Sequence, residues 1–86
     1  MKILLENRTT LTFDLCKASP LCTKIFPKDT QVLPLTARGW MHGHSEDGSF
    51  VIQKKDNEVT FKSWGKVVLE MSQSDNESHI KVMMKY

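Results

Sequence analysis

No apolar stretch in this 86-residue chain approaches the roughly 18 residues of a membrane span. The N-terminus, Met1-Lys2-Ile3-Leu4-Leu5-Glu6-Asn7-Arg8, offers three consecutive apolar residues before charge returns, far short of a secretory signal. As written, the chain reads as a cytoplasmic product or as a mature fragment freed of its signal. Glycine is scarce: Gly39, Gly43, Gly48 and Gly65 are too dispersed to form a phosphate-cradling loop. Neither sign of charge dominates, and a net charge of +2 does not by itself imply nucleic acid. There are only two cysteines, Cys16 and Cys22, spaced as neither a zinc knuckle nor a redox pair. Free thiols are the expectation in a reducing cytosol and a closed short loop in a secreted protein; the spacing leaves both open. Helical periodicity is absent, apart from a possible single turn near residues 18–24.

What is present has period two. Leu11, Phe13 and Leu15 alternate with Thr10, Thr12 and Asp14, and Val59 and Phe61 with Thr60 and Lys62. Val67, Leu69 and Met71 form a third set, and Ile80, Val82, Met84 and Tyr86 a fourth. Such alternation describes half-buried strands. Asp47-Gly48 is a hairpin cue, residues 55–58 and 72–77 are polar turns, and Gly65 marks a tight turn or bulge. With 2–6, 31–35 and 38–42 added, the chain predicts one domain, residues 1–86. Its expected fold is a single small all-β antiparallel sandwich, or partly open barrel, of seven to eight strands. The predicted core is Leu11, Phe13, Leu35, Phe50, Ile52, Val59, Phe61, Leu69, Ile80 and Val82, with Trp40 expected to join it. Segment 16–28 is the longest irregular stretch, and Pro20 and Pro27 exclude a central strand there.

Chemistry-bearing residues do not converge in the sequence. His42-Gly43-His44 places two imidazoles on one face of an extended chain, and Glu46, Asp47, His79, Cys16 and Cys22 are the available companions for a metal. None stands at a recognised ligand spacing, so a polar strand end is the simpler reading, and no cofactor is implied. The carboxylates lie mostly in turns or on the outward parity, which suits solvation better than acid–base hydrolysis. Asn7-Arg8-Thr9 and Asn76-Glu77-Ser78 match the glycosylation pattern, for which chance is the better explanation. The expectation is a protein that is not an enzyme.

The outward parity of the last strands is more pointed. Lys62, Trp64, Lys66, Val68, Lys81, Met83 and Lys85 share one face if the last three strands pair in sequence. A Trp with Val and Met, rimmed by lysines, resembles a binding surface for another protein with acidic groups. Small domains without a signal include phage and mobile-element inhibitors of host enzymes. A non-catalytic protein-binding module is therefore the leading expectation, and a small metal-dependent enzyme centred on His42 and His44 the third.

The second comes from a likeness. Phe26-Pro27-Lys28-Asp29-Thr30-Gln31-Val32-Leu33, then Asp47-Gly48-Ser49-Phe50-Val51-Ile52, then Phe61-Lys62-Ser63-Trp64 resemble, in order, stretches of the aegerolysin family. Asn7 after an apolar strand is similar too. The resemblance covers about two thirds of the chain and implies a β-sandwich that binds membrane lipid or glycan. No proline follows Trp64, and the chain is shorter than family members.

Overall fold

The computed structural model describes residues 2–18, 21–35 and 38–85, with the side chains of Ala18 and Leu21 left aside. The described residues form nine strands: β1 Lys2–Asn7, β2 Phe13–Ala18, β3 Leu21–Ile25, β4 Thr30–Val32, β5 Arg38–His44, β6 Gly48–Lys55, β7 Glu58–Gly65, β8 Val67–Ser74 and β9 Glu77–Met84. They form two sheets, ordered β4-β1-β9-β8 and β3-β2-β5-β6-β7. Neither closes on itself, so the all-β expectation resolves into the sandwich rather than the barrel. Among the described residues the pairings are antiparallel but for one: β1 runs parallel to β9, with Leu5 beside Ile80. Among the described residues there is no helix, hence none able to cross a membrane.

The strand number exceeds expectation because most of the described part of segment 16–28 is strand. β2 continues through Cys16, and β3 pairs with it antiparallel. No helical turn lies in the described part of residues 18–24. β3 is nonetheless an edge strand, and Pro27 lies beyond its end, in the turn that follows; Pro20 lies outside the described residues.

The core lies between the sheets. Ile3, Leu5, Leu69, Ile80 and Val82 of one sheet meet Phe13, Leu15, Met41, Phe50 and Ile52 of the other, all nearly free of solvent. Of the predicted core, Leu35 and Val59 are also buried, whereas Leu11 and Phe61 are only partly buried against it. Phe61 faces inward but sits on β7, an outermost strand, where one flank has no neighbour. Met84 is half-buried, and Tyr86 lies outside the described residues. Phe61→Ala is therefore expected to cost about 2 kcal/mol and Phe50→Ala about 3–5 kcal/mol, a difference readable in paired urea titrations. Equal losses would mean that the edge is as closed as the centre.

Three turn signals act as expected. The β5–β6 hairpin is closed by Ser45, whose N–H and Oγ donate to the Gly48 carbonyl at 3.0 and 2.8 Å. Asp56 takes positive φ (55°) between β6 and β7. Gly65 does so between β7 and β8 (φ 74°), where a side chain would collide with the Asp47 carbonyl. That junction turns the chain from one sheet into the other.

A polar cluster pins the opposite crossover, from β1 to β2. Asn7 is fully buried. Its Nδ2 donates to the carbonyls of Leu11 (2.8 Å) and Ile25 (3.2 Å). Its Oδ1 accepts from the N–H (3.0 Å) and Oγ1 (2.7 Å) of Thr9. Asn7-Arg8-Thr9 is thus an internal tie rather than an exposed acceptor for a glycan.

Candidate functional site

Sheet register decides which side chains share a surface. On the outside of the five-stranded sheet, Trp64, Ser49, His44, Asp14 and Lys24 lie in one cross-strand row. Lys62, Val51, His42, Cys16 and Cys22 form the next. Trp40 stands one step further along β5. Its ring centroid is 4.7 Å from that of His42, which is 5.4 Å from that of His44, so three rings run in line along one strand. Trp40 is 45% exposed and Trp64 53%.

Trp40 is thereby corrected from core to surface. Residues 38–44 put an apolar side chain on each parity, so alternation alone cannot orient the strand. Phe50 settles it: its ring lies against the backbone of Gly43, which turns Met41 and Gly43 inward and Trp40, His42 and His44 outward.

The single lysine-rimmed patch does not form. β7 pairs with β6 and β8 with β9, in different sheets. Trp64 and Lys62 therefore lie outside the five-stranded sheet, while Val68, Lys81 and Met83 lie outside the four-stranded one. Lys66 occupies the turn between the sheets, where its carbonyl accepts from the Lys85 N–H at 2.7 Å. Val68 and Met83 are opposite each other and only half-exposed. Lys81 stands between Glu70 and Glu6 on the neighbouring strands, which offset its pull on acidic groups. On the same face Glu6 accepts from Arg8 Nε (2.8 Å) and contacts His79 Nε2 (3.0 Å). The Arg8 hydrogen bond, above all, holds its carboxyl below the ordinary range, and its partial solvent exposure makes the stabilising effect small.

The companions of the histidine pair are dispersed. His79 is on the opposite face of the sandwich, engaged by Glu6. Cys16 and Cys22 are directly opposed on β2 and β3, Cα atoms 4.1 Å apart, and form a disulfide. Of the two alternatives open for these residues, the closed loop holds, and bonded sulfurs are not thiolate ligands. Among the described residues no three His, Cys, Asp or Glu side chains converge on one point.

One apolar cleft of about 280 Å³ enters the sandwich at its β3–β4 side, lined by Leu15, Thr23, Leu33, Pro34 and Met41 among others. Lys17 Nζ donates to the Pro34 carbonyl at 3.0 Å beside it. Its volume falls below the range of about 300–1,000 Å³ usual for small-molecule sites. The tryptophan–histidine face is the more developed feature. Compared with protein-family models, with curated proteins and with solved structures, the chain finds no match.

Proposed function

We propose that this chain is a non-catalytic binding module that holds another protein against the outer face of its five-stranded sheet. The observation that carries this reading is the pair of exposed tryptophans, Trp40 and Trp64, on one sheet face. Such side chains give up apolar surface to water until a partner covers them, and tryptophan is enriched among residues that dominate binding energy. Between them lie Val51, His42 and His44, a low surface that suits a broad contact. Lys62 beside Trp64 supplies positive charge toward acidic groups of the partner. An inhibitor of an enzyme is one role open to such a module.

Trp64→Ala should weaken partner capture by about 2 kcal/mol or more, roughly 30-fold, with the fold intact because the indole is outside the core. Isothermal titration against the captured protein measures it. A change below threefold would remove Trp64 from the interface. The same two tryptophans also favour the lipid-binding reading suggested by the aegerolysin likeness, since indoles settle at membrane surfaces. Flotation with vesicles separates the two: a protein-binding face leaves the chain at the bottom of the gradient. Compartment bears on the choice. The Cys16–Cys22 disulfide fits an oxidising setting better than a reducing cytoplasm. Thiol labelling of protein taken directly from its source would return the cytoplasmic placement if both cysteines reacted.

A further inference from the structure

The two sides of the sandwich end differently. On one side the outermost strands are β3 and β4, five and three residues long. The Gln31 side chain on β4 donates to the Lys24 carbonyl of β3 at 2.9 Å, tying the two edges together. On the other side the outermost strands are β7 and β8, each eight residues, without proline and paired in unbroken register with their inner neighbours. Long regular edges invite another strand.

The register shows what β7 offers. The Lys66 N–H donates to the Asp47 carbonyl at 2.9 Å, which makes that a hydrogen-bonded pair. Antiparallel ladders alternate, so Trp64, Lys62, Thr60 and Glu58 turn their backbone groups toward β6. Val59, Phe61 and Ser63 turn theirs to the open edge. Meanwhile Glu58, Thr60 and Lys62 point their side chains outward from the sheet.

We propose that β7 pairs antiparallel with β7 of a second copy of this chain, about a two-fold axis at Thr60. In that register Glu58 of each copy lies opposite Lys62 of the other, Thr60 opposite Thr60, and Val59 and Phe61 exchange backbone hydrogen bonds. Opposite charges directly across a ladder stabilise it, and like charges destabilise it. Centring on Lys62 would oppose two lysines, and centring on Phe61 would leave both charges unmatched. β8 has no such solution: Glu70 is its single outward charge, and the register centred there opposes two glutamates. The result is a continuous ten-stranded sheet carrying two tryptophan–histidine faces side by side. One strand pair buries less than the roughly 800 Å² per partner of a stable interface, so the dimer is a weak one.

Sedimentation equilibrium of the whole chain from about 10 µM to about 1 mM tests this, that span being set by the small interface. The expected result is a monomer–dimer equilibrium whose midpoint rises at least tenfold in Glu58→Lys and in Lys62→Glu. It should return to within threefold of the original in the doubly reversed chain. Glu58 and Lys62 are on the same strand, four residues apart and out of each other's reach, so recovery reports contact between copies and not repair within one. Circular dichroism checks that each variant is folded. A monomer throughout, single reversals without effect, or a double reversal that stays monomeric would each overturn the pairing.

Discussion

Asn7→Ala is expected to lower stability by about 3–5 kcal/mol, a large share of the roughly 4–13 kcal/mol usual for a chain of this length. Asn7 is fully buried and satisfies two carbonyls, Leu11 and Ile25, and one backbone N–H, that of Thr9. Its own backbone adds two links: its N–H donates to the Asp29 carbonyl and its carbonyl accepts from the Lys28 N–H. One residue thus binds the end of β1, the crossover into β2 and the β3–β4 turn. Alanine keeps the backbone links but strands the Ile25 carbonyl and the Thr9 N–H, each at about 1–3 kcal/mol, and leaves the Leu11 carbonyl with only the longer bond from Thr9 Oγ1 at 3.3 Å. Thr9→Val should cost less, about 1–2 kcal/mol, because it loses only the hydroxyl's bonds to Asn7 and Leu11. Urea unfolding of the two variants measures both. A loss under 1 kcal/mol for Asn7→Ala would mean that water enters and replaces the side chain.

Gly43→Ala is expected to cost about 2–3 kcal/mol through overpacking. A Cβ at this position would overlap the Phe50 ring, which is itself buried and held against Phe13 at 5.4 Å between ring centroids. Phe50→Leu shortens that side chain, so the double variant should be more stable than the sum of its parts by at least about 1 kcal/mol. Thermal unfolding of the four proteins in the cycle gives the coupling. Additive losses would show that glycine at 43 serves some need other than room for the ring.

These two sites also show what could be read in the sequence. Strands with strict alternation, such as 78–84 and 67–71, declared both their existence and their inward faces. The β5 face could not be read, because Trp40 and Met41 offer apolar groups on opposite parities and the deciding contact comes from Phe50 on the next strand. The Asn7–Thr9 tie had a local signal, Asn-x-Thr directly after an apolar strand, a pattern that favours side-chain-to-backbone turns. Its burial, however, depends on β3 and β4, which arrive from far along the chain. The β1–β9 pairing joins the two ends of the sequence, where no local pattern points. Of the candidate surface, the exposure of Trp64 followed from parity. Its separation from Val68, Lys81 and Met83 followed from the sheet change at Gly65, which one glycine signals only as a turn.

Because the two outer faces are separate, each can be altered alone. Trp40→Ala/Trp64→Ala alters the five-stranded face alone, and Val68→Ser/Met83→Ser the four-stranded face alone. The most direct measurement is quantitative affinity capture from a lysate of the source cells with the native chain and both double variants, each checked for fold by circular dichroism. A protein held by the native chain and by Val68→Ser/Met83→Ser, but reduced more than 30-fold by Trp40→Ala/Trp64→Ala, is the expected result. The opposite pattern, or the same capture by all three chains, would contradict the assignment of the tryptophan–histidine face.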